Sequence, residues 1–500
     1  MTIPSPKSDA LPFGDAKTAL AGRGSLMALV AGSALPFCVS SGAYTLKLTF
    51  DRLALASYSP ISACASLSGG LAAFLLASVF IGLSGYTGVL VAQAHGARRN
   101  SQIGPRVWRG IVLSLACGLV LALISSPLSR VFALIGHEET LSLEESLYFR
   151  ILTWGAGLSL LSTSLTCFWT GRGQTWTVVI VNLFSILLNV VLNFLLIFGA
   201  PSIGLTPLGI AGAAIATVLS DLFKTSVLAF LFLSKKNRAL FQTLPGALWR
   251  KPICREHARL GFHNGLQMAL NILTLALFNI FMGFFVAKGQ DPAAVVASSL
   301  AFTLAAAFLI PISGLSSALT MLVGRGVGAG DLALKRRVIR AGLLLALAHL
   351  TAATLVFLAF PDWLLGFLRG AGALQGETLS VASSLVGFAS VFLVVEGLGQ
   401  LFLGALRGAG DVAYATRLSL FSAAFFAIAA PAALRWGGGP ECLWALLSVS
   451  GLIKTLAFSQ RLFPSAEPRP RARASAISLF RQSPTPPNPR PFAAEVGKVQ

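Results

Sequence analysis

What most constrains this chain is the recurrence of apolar runs too long for an ordinary core element. They fall near 26–50, 67–94, 108–135, 148–170, 176–199 and 209–234, and again near 261–287, 294–324, 340–360, 380–404, 418–434 and 442–462. A helix of about 20 residues crosses the hydrocarbon layer of a bilayer, so each run is read as one crossing. Composition agrees: 55% of the residues are hydrophobic and 11% charged, where a soluble domain carries about 25% charged residues. Water cannot solvate that much apolar surface, and lipid must take its place. The expected fold is an all-α integral membrane protein with twelve transmembrane helices.

The formal net charge is +20, which in a soluble domain would point to nucleic acid. Its distribution excludes that reading. Alternate loops carry the cations: Arg98, Arg99, Arg106 and Arg109; Arg172; Lys235, Lys236, Arg238, Arg250, Lys251, Arg255 and Arg259; Arg325, Lys335, Arg336, Arg337 and Arg340; Arg407 and Arg417. The intervening loops hold Arg52, Lys288, Arg369 and Arg435, with Arg130 and Arg150 at helix ends, and one loop is acidic (Glu138, Glu139, Glu144, Glu145). Cations gather on cytoplasmic loops beside an anionic leaflet, so the first set and both termini are expected in the cytoplasm. Residues 1–25 form a polar tail that leads into the first span, with no sign of a cleaved signal peptide. Residues 235–260 form a basic linker. Residues 463–500, rich in Pro, Arg and Ser, cannot bury a core and are expected to be disordered. That tail either clings to anionic lipid or is solvated without function. Cys38, Cys64, Cys117, Cys167, Cys254 and Cys442 show no CxxC pair and no His at metal spacing, which leaves small core residues or loop thiols rather than disulfides or a metal site.

The chain also repeats itself. Pro60 and the apolar stretch after it parallel Pro292, 232 positions on, and Arg172-Gly173 parallels Arg407-Gly408, 235 positions on. AHGARRN after the second span and VGRGVGAGD after the eighth each lead into a basic stretch. A period of six spans predicts two pseudo-symmetric six-helix bundles, 26–234 and 261–462, in the same orientation. Two such bundles rocking against each other supply alternating access.

Carboxylates inside apolar spans cost a few kcal/mol at mid-bilayer. Asp51 at the end of the first span, Asp221 in the sixth and Glu396 in the tenth stand out. Glu396 is the sharpest, because its own span offers no other charge. A desolvated carboxylate can exchange a proton or a sodium ion, which is what a cation-driven antiporter requires. Lys47 lies one turn before Asp51 and can pair with it. Lys224, one turn after Asp221, is expected to form a structural ion pair. Asn182, Asn189 and Asn193 share one face of the fifth span and either line a cavity or bond a neighbouring helix. Pro36, Pro311 and Pro431 lie within spans and are expected to kink or locally unwind them. The chain contains no GxxxxGK[ST], HExxH or GxSxG, so neither ATP hydrolysis nor these enzyme chemistries are expected. The GAGD segments at 328–331 and 408–411 fit tight turns with an Asp cap.

Several of these segments resemble the multidrug and toxin extrusion (MATE) family: LPFCVSSGAYTLKLTFD, with Pro36 and Asp51; GRGQTWTVVIVNLFSILLNVVLNFLLIFG followed by LGIAGAAIATVLS; LIPISGLSSALTMLVGRGVGAGD; and LGALRGAGD. The resemblance covers roughly 26–462. It implies a twelve-helix exporter, not an enzyme, that works without a cofactor. It implies export of drugs, organic cations or other amphiphiles in exchange for H+ or Na+, by a monomer in the bacterial inner membrane. It assigns cation coupling to Asp51 and Glu396, and the cavity to Asn189, Asn193, Asn271 and, more weakly, Asn182. Asn271 stands where many members carry a glutamate, and His263 where a proline is usual. A C-lobe ion site would therefore rest on Glu396 with neutral oxygen donors. The alternative is a flippase for lipid-linked oligosaccharides or peptidoglycan precursors, for which a strongly cationic cavity would be expected.

Overall fold

The computed structural model describes residues 23–134, 136–200, 204–244, 255–287, 293–360 and 377–463. Most of the N-terminal tail, the middle of the basic linker with Cys254, the loop positions Lys288 and Arg369, and the tail beyond 463 lie outside the described residues. Among the described residues, twelve helices are long and apolar enough to cross a membrane. They are α1 (Arg23–Tyr58), α2 (Pro60–Gly96), α3 (Ile103–Ser129), α4 (Glu139–Thr170), α5 (Thr175–Phe198) and α6 (Gly209–Phe232), then α7 (Arg255–Ala287), α8 (Ala293–Gly328), α9 (Leu332–Ala359), α10 (Glu377–Ala409), α11 (Val412–Arg435) and α12 (Pro440–Leu462). The described residues up to Phe458 form one compact unit.

The helices overrun the apolar runs because charged residues continue a helix once it leaves the hydrocarbon. Lys335, Arg336, Arg337 and Arg340 sit in the first turns of α9, and Arg407 and Arg417 lie within α10 and α11 rather than in a loop. The linker contains a short helix, Lys235–Phe241, and ends at Arg255, where α7 begins. α1 runs to Tyr58, which places Asp51 two turns inside it instead of at its end.

Local chemistry sets the turns. Ser59, extended at φ −157°, caps α2 by accepting from the Ser62 amide, and Pro60 fills the first helical position, where a missing N–H costs nothing. The two GAGD segments turn alike: Gly330 (φ 71°) and Gly410 (φ 84°) take the left-handed conformation that favours glycine. Asp331 caps α9 by accepting from the Leu334 amide at 2.8 Å, and Asp411 occupies the same position before α11.

Side chains such as Leu123, Phe230 and Ile428 stay outward, at 69%, 78% and 74% exposure; in an apolar solvent this costs nothing. Inside, aromatic groups fill each half. Phe168 meets Trp169, Phe232 and Phe241 edge-on, and the buried Arg172 guanidinium lies over Phe168 and Phe241. In the second half Trp444 packs on Phe278 and Phe392, with its indole N–H donated to Ser298.

The repeat appears in individual hydrogen bonds. Ser185 of α5 donates to the Ser220 carbonyl of α6 at 2.8 Å, and Ser422 of α11 donates to the Ser450 carbonyl of α12 at 2.8 Å. Thr225 of α6 donates to Leu158 O of α4 at 3.1 Å, and Thr455 of α12 to Val395 O of α10 at 3.1 Å.

The halves join through α2 against α7 and through α1 and α2 against α8. At the ends that carry the basic loops, the Asn264 amide donates to Gly82 O (2.6 Å), Arg325 Nε to Gly171 O (3.1 Å), and Thr87 contacts His257 (3.3 Å). A Cβ on Gly82 would collide with the Gly265 backbone, so glycine is what lets α2 and α7 approach there.

Candidate functional site

In the first half, α1, α5 and α6 converge on Asp51. The Lys47 ammonium stands 3.7 Å from its carboxylate, one turn earlier on α1, as the spacing predicts. Asn193 donates its amide to the other carboxylate oxygen. The network continues from Asn193 to Asn189 Oδ1 (3.3 Å), from Asn189 to the Thr217 hydroxyl (3.5 Å), and from Lys47 to that same hydroxyl (3.4 Å). Lys47, Asp51, Asn189 and Asn193 are all buried. Asn182 reaches Ser40 of α1 at 3.5 Å, so Asn182 and Asn193 both bond α1, while Asn189 between them turns to Thr217 of α6. The Oδ1 atoms of Asn182 and Asn193 are buried acceptors with no hydrogen-bond donor. A buried acceptor of that kind can take an N–H from a ligand, or a cation, at little reorganisation cost.

One turn deeper along α6, Asp221 accepts from the Ser159 hydroxyl of α4. The expected contact pair with Lys224 does not form. The Ser159 hydroxyl supplies the close partner, and Lys224 instead sits near enough to feel the charges of both Asp221 and Lys47.

In the second half, Glu396 of α10 is not alone. Lys454 of α12 approaches its Oε2 at 3.3 Å, and Gln400 donates to its Oε1 at 3.3 Å. A lone carboxylate was expected because α10 carries no other charge between Glu377 and Arg407; the partner comes from a helix 58 residues away. One sequence signal marks it: Phe223-Lys224-Thr225 on α6 is matched by Ile453-Lys454-Thr455 on α12, 230 positions on. The threonine-to-carbonyl bonds make the two segments equivalent, and Ser159 then stands where Glu396 stands, each next to the carbonyl its threonine engages. Both halves place a lysine on the last helix of the bundle and a carboxylate within its reach, but the carboxylate has changed helix. Asn271, half-buried in α7, belongs to neither cluster.

Of the prolines assigned as hinges, Pro311 lies at the crossing of the halves, and Pro36 lies on the facing stretch of α1 between Ala34 and Cys38. α1 runs through Pro36 and α8 through Pro311 as unbroken helix, so local unwinding does not occur at either. The Cys38 thiol of α1 contacts Pro311 O at 3.6 Å, and Gly314, one turn on, packs against Cys38 and Ala34. Each proline removes one rung of its helix ladder, at the point where the two bundles bear on each other.

The sequence model of the MatE family matches residues 36–195 and 268–431, one stretch in each half. Over 401 residues the chain is 29% identical to the multidrug resistance protein NorM of Burkholderia vietnamiensis, covering 78% of this chain and 82% of that protein. Over 456 residues it is 27% identical to a probable multidrug resistance protein NorM of Pseudomonas putida, covering 88% of this chain and 96% of that protein. Among solved structures, an outward-facing multidrug resistance MATE family transporter aligns at TM-score 0.76 and 18% identity, over 92% of this chain and 97% of that one. A eukaryotic MATE transporter aligns at TM-score 0.75 and 19% identity, over 91% and 99%.

Proposed function

The chain belongs to the MatE family, and from that premise we propose that it is a secondary active antiporter exporting amphiphilic xenobiotics in exchange for protons or sodium. The observation that carries the reading is the pair of ionisable sites inside the spans, one in each half, at the buried Asp51 and the partly buried Glu396. Each carboxylate is held by partners that can be exchanged: an ammonium and neutral amides. An entering ion takes the carboxylate, its former partners turn elsewhere, and the packing between helices changes with them. The multidrug resistance names of the bacterial relatives support xenobiotics as cargo.

The positive-inside distribution supports placing the basic ends, and with them both termini, on the cytoplasmic side of the bacterial inner membrane. The bonds Asn264–Gly82, Arg325–Gly171 and Thr87–His257 then form a seal on the cytoplasmic side. Alternating access requires that seal to break as the halves rock about the α1–α8 crossing. The coupling ions and substrates are the only small partners this reading needs, and one chain supplies both halves.

The test is the purified protein in liposomes. Addition of an amphiphilic substrate on one side should drive proton or sodium movement that depends on the protein. Substrate binding with no coupled ion movement, at several pH values and with sodium present or absent, would remove the antiport mechanism.

A further inference from the structure

Two guanidinium groups from opposite halves meet at the end of the molecule that carries the basic loops, and no described carboxylate pairs with them. Arg172, in the turn between α4 and α5, is 4% exposed. Phe168 and Phe241 cover its guanidinium, and its Nε donates to Phe168 O at 2.8 Å. Arg325 of α8 crosses to the same turn. Its Nε donates to Gly171 O at 3.1 Å, and a Cβ on Gly173 would collide with its guanidinium. Burial, and after it the charge of Arg325, bring the Arg172 pKa down to about 9. His95, in the last turn of α2, adds a third group. A Cβ on the next residue, Gly96, would collide with the Arg325 carbonyl, and the charges of both arginines reach the imidazole. The His95 Nδ1 is buried with no hydrogen-bond partner.

The positive-inside rule accounts for cations that stand in water at this end. It does not account for a guanidinium taken out of water without a counter-charge. The repeat supplies a comparison. Arg407, the counterpart of Arg172, donates to the Gln267 side chain of its own half. Among the described residues, Arg172 and Arg325 give only their Nε atoms to protein acceptors, both of them backbone carbonyls. The Nη edges of two planar forks are left for one ligand, and such forks match an oxyanion bidentately. Arg325 is only partly buried, which leaves a way in from the water.

We propose that Arg172, Arg325 and His95 form a binding site for a phosphate-type oxyanion, which bridges the halves and holds the seal at this end closed. Free phosphate and the headgroup of an anionic phospholipid present the same oxygens to it. Bound, the anion cancels the repulsion between the arginines; without it, that repulsion favours parting of the halves. The ligand is neither cargo nor coupling ion, so its binding is tested apart from the export reading.

The experiment uses the purified full chain in a neutral detergent, with sodium phosphate compared to sodium chloride at matched ionic strength. Phosphate, and not chloride, should raise the thermal midpoint and slow hydrogen exchange in residues 169–175 and 322–330, one segment from each half. Arg325→Gln should require at least about tenfold more phosphate for the same shift, the loss expected from one charge-assisted contact. If that variant fails to fold, Arg325→Lys, which keeps the charge and loses the fork, should show the same weakening. A response seen only in nanodiscs of phosphatidylglycerol, absent in phosphatidylcholine and lost in the Arg325 variants, supports the site with a lipid headgroup as its source. Equal effects of phosphate and chloride with no response to phosphatidylglycerol overturn the site. An unchanged response in the Arg325 variants also overturns it. So does protection of only one of the two segments, since a bridging ligand touches both.

Discussion

The two ion-pair sites differ in what they tie together. Lys47 and Asp51 sit one turn apart on a single helix, so their pair opens by side-chain rotation with α1 unchanged. Lys454 and Glu396 join α12 to α10, alongside the Thr455–Val395 bond; opening that pair removes a link between helices. Lys47 also keeps the Thr217 hydroxyl when Asp51 lets go. The first site is thus suited to exchanging ligands, and the second to converting an exchange into a shift of helix packing.

The largest expected effect tests the second half of that contrast. Glu396→Gln should abolish ion-driven export while the protein stays folded, since glutamine keeps the shape but has neither the negative charge nor the titratable oxygen that an entering ion takes. Glu396→Ala should also lower stability, by about 3–5 kcal/mol, because it leaves the buried Lys454 ammonium unpaired. The double change Glu396→Gln/Lys454→Gln should recover most of that loss in thermal unfolding. Full export by Glu396→Gln would take Glu396 out of the mechanism.

Asp51→Asn comes next. With Thr217 still available to Lys47, the expected stability loss is about 1–3 kcal/mol, smaller than for Glu396→Ala. An equal loss would mean that the hydroxyl does not substitute for the carboxylate, and the distinction between the sites would fail. Asn193→Ala removes a charge-assisted bond to Asp51, which is worth about 1.5–3 kcal/mol, and leaves export of a substrate held only in the second half unaffected. A third change acts on pH dependence. Lys47→Ala should alter the pH profile of transport; an unchanged profile would make Asp51 structural.

The same contrast explains what could be read from the chain. The twelve spans were legible because crossing a bilayer fixes a length, and the two bundles because nearly the same offset, 232 and 235 positions, recurs at Pro60 and Arg172. The Lys47–Asp51 pair was legible because helix geometry places residues four apart on one face. Glu396 looked solitary because nothing in the spacing along α10 reports which helix lies beside it; Lys454 enters only through tertiary packing. For Asp221 the local rule misled. Lys224 is at a permitted spacing, yet Ser159 of α4 takes the carboxylate. The repeated Lys-Thr pair at 224 and 454 was the available clue, detectable by aligning the halves on polar residues within spans as well as on prolines and turn glycines. Helix ends were the least legible, since an apolar run ends where the lipid does and a helix need not.

The smallest expected effect asks whether the halves are equivalent in energy as well as in geometry. Thr225→Val and Thr455→Val each delete one hydroxyl-to-carbonyl bond of 3.1 Å between the fourth and sixth helices of a bundle. Interhelical bonds of this type within membranes average about 0.6 kcal/mol, and valine keeps the branched shape, so each change should cost about that much in reversible unfolding. The two sites lie in separate bundles with no shared partner, and their effects should add. Equal, additive losses would show that the Lys-Thr segment is the same structural joint in both halves, leaving the placement of the carboxylate as what distinguishes them. A clearly larger loss for Thr455→Val would show that the Glu396–Lys454 bridge next to it depends on that joint, so that the second bundle is braced at its ion site in a way the first is not.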